Sequence, residues 1–379
     1  MRLRHRGQGA QALSFPSPVR SWFARGTAIS AVTAVLATLF LAVGCGSSSG
    51  AADPWIGVRG NHLIDGDGQP VRLLGVNRPG TEYQCVEGGE FFQGPSDRAS
   101  IEAMVRWDIN AVRVPLNESC WLGINGVPAD LSGDAYRDEI RAYVSRLESA
   151  GLYVILELQW AAPGDHEATG IIPLPDAEHA PDFWRSLATE YRDDRGVLFD
   201  LYNEPHDVSW ECWELGCEAN DKYFGEYPAV GMQSLVETVR STGARQPLML
   251  GGLNWASDPR GWLAHRPADP AHALVASNHT YDFTPCYRTC RAALARIAKR
   301  FPVVTGELGE GDCRHTYIDP YMNWADRHGI SYLGWGWFIA PGLTCEEGPT
   351  LIENYAGKPT PFGIGLREHL RRLRAAEGR

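Results

Sequence analysis

Two glutamates end short apolar runs and could form one catalytic pair. Glu204 follows the run at residues 197–202, after which Pro205 cannot continue a strand, and Glu307 closes a second run at residues 303–306. One such carboxylate would more often be a surface or helix-capping residue, but two delivered in the same way indicate a shared site. A protonated carboxyl can donate to a leaving group while an ionised one attacks or activates water. The pattern therefore predicts acid/base or nucleophilic chemistry at one edge of a sheet.

Eight apolar runs have the length of buried strands and alternate with helical patterns. The runs lie at residues 71–76, 111–116, 153–159, 197–202, 247–253, 274–279, 303–307 and 331–337. Asp134 is the predicted N-cap of the clearest helix, and Pro181 stands in the first turn of another. Eight strands alternating with helices over about 300 residues predict an α/β fold, a (β/α)8 TIM barrel. Residues 55–72 predict a short N-terminal β-hairpin that turns at 65–68. An open doubly wound sheet would carry a glycine-rich phosphate turn after its first strand, and residues 75–80 are not one.

The acidic composition argues against nucleic acid as a partner. The chain of 379 residues has a formal net charge of −11, and its first 52 residues hold five arginines and no acid. The remainder carries 30 basic and 46 acidic residues, a charge of −16, and so lacks the basic surface that nucleic acid requires. Thirteen tryptophans suit the flat apolar surfaces of sugar-binding clefts, although core packing is the commoner role of any single one.

The first 52 residues predict an export signal and a flexible tether. A basic stretch precedes an apolar run at residues 27–44, as in a signal peptide. Cys45 and the small, polar residues 46–52 resemble a bacterial lipoprotein signal, in which the cysteine is lipidated, although Ala42 stands where that motif prefers leucine. An uncleaved anchor is the alternative, because an apolar run of 18 residues can just span a bilayer. Either way we expect an extracellular or cell-surface protein with its catalytic domain at residues 53–379, in contact with the membrane only through this anchor.

The cysteine count independently supports export. Eight cysteines remain when Cys45 is set aside, an even number that predicts disulfides in an exported chain. Short spacing indicates the disulfides Cys212–Cys217 and Cys286–Cys290. The four remaining cysteines would then pair as Cys85–Cys120 and Cys313–Cys345. A zinc site is the alternative, but no set has the paired spacings of zinc ribbons or fingers.

In a parallel barrel the carboxyl ends of the strands carry the functional site. The residues predicted at these ends are Asn77, Arg113, Gln159, Trp160, Asn203, Glu204, Asn254, Trp255, His279, Tyr281, Glu307, Trp335 and Trp337. Carboxylate, amide and aromatic groups suit a neutral polyol, and nothing here resembles a phosphate cradle. Two carboxylates on such a rim suit glycoside hydrolysis.

Several of these residues stand in motifs that resemble one family. Tyr202-Asn203-Glu204-Pro205 is similar to the fourth-strand signature of the retaining glycosidases of clan A, in which the acid/base glutamate follows an asparagine. The accompanying motifs are NAVRVP at 110–115, HTY at 279–281 and TGE at 305–307, followed by a late tryptophan. Together they resemble glycoside hydrolase family 5 over roughly residues 55–375, in the order expected along the chain.

The resemblance implies a role for each matched residue. Glu204 would be the acid/base and Glu307 the nucleophile that forms a covalent glycosyl-enzyme, with the two carboxyl groups about 5–5.5 Å apart. Arg113 and Tyr281 would favour the charged form of Glu307. Asn203 would bond the sugar 2-hydroxyl, an interaction that strengthens in the transition state.

Other positions are implied less directly. His279 would bond near the catalytic pair, and Trp337, rather than Trp335, would form the floor of the sugar subsite. Gln159 stands where many family members have histidine, and it keeps hydrogen bonding without titrating. Glu310 is a rival nucleophile. Strand alternation does not decide where residues 157 and 200 point, so we leave Glu157 and Asp200 out of the predicted site.

The resemblance also implies a β-linked glycan as substrate. Cleavage of a β-1,4-glucan, as by an endoglucanase, is the commonest activity of the family. Mannan, β-1,3-glucan and other β-glycosides are alternative substrates, because substrate specificity resides in loops such as 163–177 and 207–227. No metal or organic cofactor is expected, and the protein is expected to be a monomer. A non-catalytic sugar-binding lipoprotein would share the barrel, but it would be expected to lose one of the two glutamates. A metal-dependent hydrolase would need a clustered His/Asp ligand set, which the sequence lacks.

Overall fold

The computed structural model describes residues 54–378 except 285, 287, 288 and 340–347. Eight parallel strands close into a barrel, and strand 8 pairs with strand 1. In chain order, barrel strands 1 to 8 are Leu74–Asn77, Ala111–Asn117, Tyr153–Trp160, Val197–Asp200, Leu248–Gly251, Leu274–Tyr281, Val303–Gly309 and Ser331–Gly334. The predicted export segment, including Cys45, lies outside the described residues.

The barrel interior is apolar at its amino-terminal end. One buried layer comprises Leu73, Ala111, Ile155, Leu198, Met249, Val275, Val304 and Leu333, and Ile56 and Leu63 of the N-terminal segment pack on it. A larger apolar cluster lies between the barrel and the surrounding helices. Because both faces of the strands are buried, the strands appear in the sequence as continuous apolar runs. The amino-terminal end is thus filled, and the carboxyl end is left to polar side chains.

The helices surround the barrel. They are Arg98–Val105, Glu118–Leu122, Asp134–Ser149, Ala180–Glu190, Trp210–Leu215, Met232–Ser241, Trp262–His265, Arg291–Ile297, Ile318–Arg327 and Pro361–Glu377, with a π-helical turn at Gln84–Gly88. The predicted helix at 134 is present, but Gly133 rather than Asp134 occupies its N-cap position. Two small hairpins, Gly216–Asp221 with Gly225–Val230 and Ile352–Asn354 with Lys358–Pro359, follow barrel strands 4 and 8. Over the part of the chain that the structure describes, no helix has the length and apolarity needed to cross a bilayer.

The predicted (β/α)8 barrel is confirmed, and the differences lie at the ends of elements. The N-terminal segment forms three short strands, Gly57–Arg59, His62–Ile64 and Pro70–Val71, where a two-stranded hairpin was predicted. Gly60, at φ 63°, allows a first turn that the prediction missed, because glycine enters the left-handed region without strain. Since Pro70–Val71 pair with this small sheet, the first barrel strand begins at Leu74 rather than at residue 71.

Three of the four predicted disulfides are present. They are Cys85–Cys120, Cys212–Cys217 and Cys286–Cys290, with Cα–Cα distances of 6.3, 5.1 and 5.4 Å. The fourth prediction pairs Cys313 with Cys345, which lies outside the described residues. The Cys85–Cys120 bridge joins the loop after barrel strand 1 to the short helix after strand 2, both at the carboxyl end of the barrel.

Candidate active site

The carboxyl ends of the barrel strands surround a cleft of about 470 Å³. Its lining comes from barrel strands 3 to 8 and the loops that follow them; it comprises Gln159, Ile171, Asn203, Glu204, Asn254, Trp255, Tyr281, Phe283, Thr284, Glu307, Trp335 and Pro349. Both predicted catalytic glutamates are in this set. They meet because parallel strands end at the same edge of the barrel, whatever their separation in sequence.

Arg113, on barrel strand 2, organises the polar side chains below the cleft. Its Nη1 atom donates to Oδ1 of Asn77 and to Oε1 of Glu307, both at 3.0 Å, and Nη2 donates to Oδ1 of Asn203, also at 3.0 Å. A guanidinium only donates, so each amide must turn its oxygen towards Arg113. The amide nitrogen of Asn203 therefore points away from Arg113 and is left to face the cleft.

Arg113 also binds two carboxylates that sequence reasoning left out. Its Nε atom donates to Oδ2 of Asp200 at 3.0 Å, and Nη2 forms an ion pair with Glu157. All three side chains are buried. A signal for both acids existed in the sequence. Each lies two residues after a member of the apolar interior layer, Ile155 or Leu198, and period-two alternation points such a residue into the barrel.

Glu307 is held at both carboxylate oxygens. The Tyr281 hydroxyl donates to Oε2 at 2.6 Å, while Arg113 donates to Oε1. Burial raises the pKa of Glu307, and the charge of Arg113 and the hydrogen bond from Tyr281 oppose that rise. Burial and the nearby negative charge of Glu307 raise the pKa of Tyr281 well above its usual value, so its hydroxyl keeps the proton that it donates.

His279 bridges the two glutamates. Its Nδ1 atom lies 2.8 Å from Oε1 of Glu204 and 3.5 Å from Oε2 of Glu307. Burial, and then the charge of Arg113, lower the pKa of His279 well below its usual value, so the ring is neutral at physiological pH. Because Nε2 lies 3.5 Å from Nη2 of Arg113, a donor, we place the ring proton on Nδ1. His279 therefore donates towards the carboxylates.

Glu204 and Glu307 are close in space but differ in environment. One oxygen of each lies within 4.8 Å of the other. Burial raises the pKa of Glu204 well above its usual value, the charge of Glu307 raises it further, and the charge of Arg113 opposes them. Glu204 has no direct bond to a cation among the described residues, whereas Glu307 is bonded to Arg113. The arrangement favours a protonated Glu204 beside an ionised Glu307.

Two buried polar atoms beside the glutamates have no hydrogen-bond partner within the described residues. They are Nδ2 of Asn203, a donor, and Oε1 of Gln159, an acceptor. Both residues line the cleft. Unpaired buried polar groups cost free energy, which a ligand with matching groups recovers. A sugar hydroxyl, which can both donate and accept, satisfies either atom.

Aromatic side chains form walls of the cleft. Trp255 is 46% exposed and stacks on His206, with ring centroids 3.7 Å apart and planes at 9°. Phe283 is 67% exposed and stacks on Tyr281, with centroids 5.0 Å apart. Such flat apolar faces suit the faces of sugar rings. Trp255 was a cleft candidate in the sequence, whereas Phe283 comes from a loop that no pattern singled out.

The loop that carries Trp255 has an unusual backbone. Asn254, Trp255 and Ala256 all have positive φ, at 52°, 59° and 52°. Left-handed conformations are costly for residues other than glycine, and they persist where surrounding contacts hold them. The Trp255 N–H donates to the carbonyl of Pro205 at 3.1 Å, and the His279 N–H donates to that of Ala256 at 3.0 Å. These bonds tie the wall of the cleft to Pro205 and His279, beside the two glutamates.

The prediction for the two late tryptophans was wrong. Trp337 is fully buried, packs edge-to-face on Trp107 with centroids 4.8 Å apart, and is not among the residues that line the cleft. Trp335 lines the cleft instead. Barrel strand 8 ends at Gly334, three residues before its predicted end, so Trp335 already lies at the rim while Trp337 turns back under it.

Asn77 and Trp160 were also predicted near a ligand, but neither is part of the cleft lining described above. Asn77 is fully buried, where it accepts from Arg113 and donates to the carbonyl of Gly306 at 2.8 Å. Trp160 is half-buried beside Tyr83, with ring centroids 6.1 Å apart. Asn77 thus supports the site from below.

Glu310, the rival nucleophile, has a structural role. It is buried and accepts from the backbone N–H groups of Tyr317 and Ile318 at 2.8 and 3.2 Å, and from the hydroxyl of Thr316 at 2.8 Å. These bonds satisfy free donors at the start of the helix Ile318–Arg327. Glu310 is therefore committed to a helix terminus.

One set of ligand-type atoms lies in the cleft. Glu204, His279 and Glu307 each offer an atom within 4.8 Å of the others. The guanidinium of Arg113 is 3.0 Å from Glu307 and 3.5 Å from His279, and it already supplies positive charge there. A metal cation would have to share the carboxylate with that charge, which disfavours its binding.

The chain is similar to known glycoside hydrolases. The family model described as Cellulase (glycosyl hydrolase family 5) matches residues 64–340. Endoglucanase MaCel5A of Microbulbifer sp. (strain ALW1) is 23% identical over 298 residues, which cover 74% of this chain and 50% of that protein. A mannan endo-1,4-beta-mannosidase of Streptomyces lividans is 25% identical over 323 residues, which cover 80% of this chain and 72% of that protein. The chain thus spans half the length of the Microbulbifer endoglucanase.

A solved structure has the same fold. The β-glucanase SdGluc5_26A from Saccharophagus degradans superposes with a TM-score of 0.63 at 19% identity, covering 85% of this chain and 94% of that chain. That protein also has a crystal structure in complex with cellotetraose. At this identity the likeness concerns the barrel alone.

Proposed function

The chain belongs to glycosyl hydrolase family 5, and on that premise we propose that it is a retaining β-glycosidase with Glu204 as acid/base and Glu307 as nucleophile. The observation that carries this proposal is the approach of the two carboxylates, one oxygen of each within 4.8 Å of the other. Retaining enzymes separate their carboxyl groups by about 5–5.5 Å, whereas inverting enzymes need roughly 6.5–9.5 Å to admit a water molecule. The close pair supports direct attack on the sugar.

The first step forms a covalent glycosyl-enzyme. Glu307 attacks the anomeric carbon while Glu204 gives its proton to the glycosidic oxygen, so the bond to the leaving sugar breaks as the bond to Glu307 forms. Tyr281 and Arg113 hold the two oxygens of Glu307 in position for attack. The amide nitrogen of Asn203 donates to the 2-hydroxyl, whose hydrogen bond strengthens in the oxocarbenium-like transition state.

The second step releases the sugar and resets both glutamates. Once Glu307 is bound to sugar it has lost its negative charge, and that charge was one cause of the raised pKa of Glu204. The pKa of Glu204 therefore falls in the intermediate, and Glu204 becomes the base that takes a proton from water. The hydroxide attacks the anomeric carbon, and Glu307 leaves as a carboxylate.

The proposed substrate is a β-1,4-linked glucan or its oligosaccharides. The similarity to an endoglucanase supports this choice, as do the aromatic walls at Trp255 and Phe283. A mannan is the second candidate, because the Streptomyces lividans relative is a mannan endo-1,4-beta-mannosidase. The chemistry needs no cofactor, since two carboxyl groups and water suffice.

Release of reducing ends from β-glucans, mannans and aryl β-glycosides tests the function. Residues 53–379 are compared with Glu204→Gln and Glu307→Gln, and with Glu178→Gln as a matched control at a glutamate outside the cleft lining. Activity on one substrate class that collapses in the first two variants and persists in the control establishes the pair. Activity that survives in both active-site variants contradicts it. Sugar binding by a wild-type protein without turnover would indicate a non-catalytic binding protein.

Export completes the proposal. Residues 1–52 serve as an export signal and tether, Cys45 carries the lipid, and residues 53–379 act outside the cytoplasm as a monomer. Three disulfides in the described part of the chain support an oxidising compartment. Expression of the full chain with Cys45→Ala tests the anchor. Loss of metabolic lipid labelling together with release from the membrane is expected, whereas unchanged membrane attachment would indicate an uncleaved apolar anchor.

A further inference from the structure

The Arg113 guanidinium lies among more acceptor groups than it has N–H donors. The side chain carries five N–H donors, and six acceptor groups lie against its nitrogens. Two are amide oxygens, one is Nε2 of His279, and the other three are carboxylates: Glu157 on barrel strand 3, Asp200 on strand 4 and Glu307 on strand 7. The side chains of Arg113 and Asp200 are 0% and 1% exposed, so water screens these charges little. One cation thus serves three buried carboxylates.

This surplus of negative charge has a direct consequence for Glu307. A lone arginine beside a carboxylate would stabilise the anion strongly and make it a weak base. Here Asp200 competes for the same guanidinium, and the charge of Asp200 raises the pKa of Glu307 while Arg113 lowers it. Burial raises the pKa of Asp200 itself, and the charge and hydrogen bond of Arg113 oppose that rise and favour the Asp200 anion. The geometry explains both effects, because Asp200 binds Nε and Glu307 binds Nη1 of one planar group.

We propose that Asp200 and Glu157 are positioning residues that divide the charge of Arg113 and so keep Glu307 basic enough to attack the sugar. Neither residue lines the cleft, and they contact different nitrogens of the guanidinium, Nη2 for Glu157 and Nε for Asp200. Each acts through Arg113, by orienting its plane and by opposing its charge. This proposal rests on the assignment of Glu307 as nucleophile.

Other titratable groups also face Glu307, and none replaces this effect. From barrel strand 6, Tyr281 donates to Glu307 and His279 is neutral. From the end of strand 4, Glu204 carries the proton that catalysis uses. From the loop after strand 1, Glu82 is buried, its pKa is raised to about 7 by that burial, and its carboxylate accepts from the Gly80 N–H rather than from Arg113.

The test is the acid limb of the pH profile of kcat/KM, which reports ionisation of the nucleophile in the free enzyme. Asp200→Asn and Glu157→Gln remove one charge each and keep an oxygen to accept from Arg113. Each is expected to move the acid limb to lower pH by about one unit, because one of the anions that share Arg113 with Glu307 is gone. A less basic Glu307 should also lower kcat several-fold. A purely structural role would lower the yield or thermal stability and leave the limb in place.

Asp269→Asn is the matched control. Asp269 forms a buried ion pair with Arg240 on the helix Met232–Ser241, outside the site. This variant should lose thermal stability without moving the acid limb. If Asp200→Asn and Glu157→Gln both fold and neither moves the acid limb of kcat/KM, the proposal is overturned. A shift of the acid limb to higher pH would also overturn it.

A second measurement separates this proposal from the proposed function. If wild-type activity collapses in Glu307→Gln, Glu307 is established as the nucleophile before any pH profile is measured. If the wild type has no activity, the proposed function fails, and that result does not depend on a pH profile. Where a variant is too slow to assay, the ionisation of Glu307 is followed by 13C NMR of carboxyl-labelled protein. Asp200→Asn should lower that titration midpoint relative to Asp269→Asn, and an equal midpoint would overturn the proposal.

Discussion

The Tyr281 hydroxyl donates a hydrogen bond of 2.6 Å to Oε2 of Glu307. The two residues come from neighbouring barrel strands, Leu274–Tyr281 and Val303–Gly309, which pair in parallel register. The bond leaves Oε1 to Arg113, so the proposed nucleophile cannot rotate without losing a charge-assisted contact. Neutral and charged donors together fix both its orientation and its ionisation.

Removal of this phenol should weaken catalysis and shift its pH dependence upwards. Tyr281→Phe deletes a donor that lowers the pKa of Glu307, so the pKa rises and the acid limb of kcat/KM moves to higher pH. The loss of a hydrogen bond to a charged group predicts a fall in kcat of roughly 10- to 100-fold. Tyr227→Phe is the control, because it removes a buried hydroxyl that bonds the Leu174 carbonyl. A limb that moves equally in both variants would contradict the account.

The raised pKa of Glu204 predicts a loss of activity at alkaline pH. Glu204 must be protonated to donate, so activity declines as pH rises through its elevated pKa. Glu204→Ala should remove this basic limb and spare substrates whose leaving groups need no proton. Azide should then accelerate turnover and yield the glycosyl azide of β configuration, because it attacks the glycosyl-enzyme without needing a base. Azide that gives no product, or an α product, would contradict the role of Glu204.

A buried carboxyl pair, Glu118 and Asp176, should make stability depend on pH. Glu118 hydrogen-bonds Asp176, both are fully buried, and burial raises the pKa of Glu118 well above its usual value of 4.5. The folded state therefore binds a proton that the unfolded state releases. The free energy of unfolding should fall as pH rises from about 4.5 through the folded-state pKa of Glu118, by up to about tenfold in the equilibrium constant per unit.

Glu118→Gln tests this dependence. Glutamine can still donate to Asp176 but cannot titrate, so urea unfolding at pH 5 and pH 8 should show a smaller difference than in the wild type. Glu102→Gln is the matched control, because Glu102 is 53% exposed and pairs with Arg98 on the protein surface. Equal pH dependence in wild type, variant and control would show that the pair does not hold a shared proton.

The two late tryptophans should separate activity from stability. Trp335→Ala removes a wall of the cleft and should lower kcat/KM about tenfold or more with little change in melting temperature. Trp337→Ala removes a fully buried ring packed on Trp107 and should destabilise the fold by about 3–5 kcal/mol. Thermal melting and steady-state kinetics on the same samples measure both effects. Loss of activity without loss of stability in Trp337→Ala, and loss of stability without loss of activity in Trp335→Ala, would show that Trp337 is the subsite residue.

The barrel was predictable because its strands are buried on both faces and appear as apolar runs between helical patterns. The position of Glu204 and Glu307 at the carboxyl end of the barrel was predictable as well, because each closes such a run. Asp200 and Glu157 were missed because alternation gives a direction only once a neighbouring residue, such as Leu198 or Ile155, is known to face inwards. To assign Trp335 to the cleft, one needs the observed end of barrel strand 8. Local sequence propensity predicts the end of a strand only to within a few residues.

Loop residues were the least predictable part of the site. Phe283 reaches the cleft through backbone turns after barrel strand 6, and no periodicity marks it. Three consecutive left-handed residues place Trp255, although their types, asparagine, tryptophan and alanine, do not share a preference for that conformation. Such conformations are set by tertiary contacts, here the bonds to Pro205 and His279.

Identification of the residue that bonds to sugar tests the central claim most directly. A 2-deoxy-2-fluoro β-glycoside with a good leaving group slows both steps and should trap the glycosyl-enzyme, which peptide mapping by mass spectrometry then locates. The account predicts one sugar on Glu307 in the wild type and in Tyr227→Phe, and none in Glu307→Gln. A label on any other residue, or turnover of the natural substrate with inverted configuration, would contradict it.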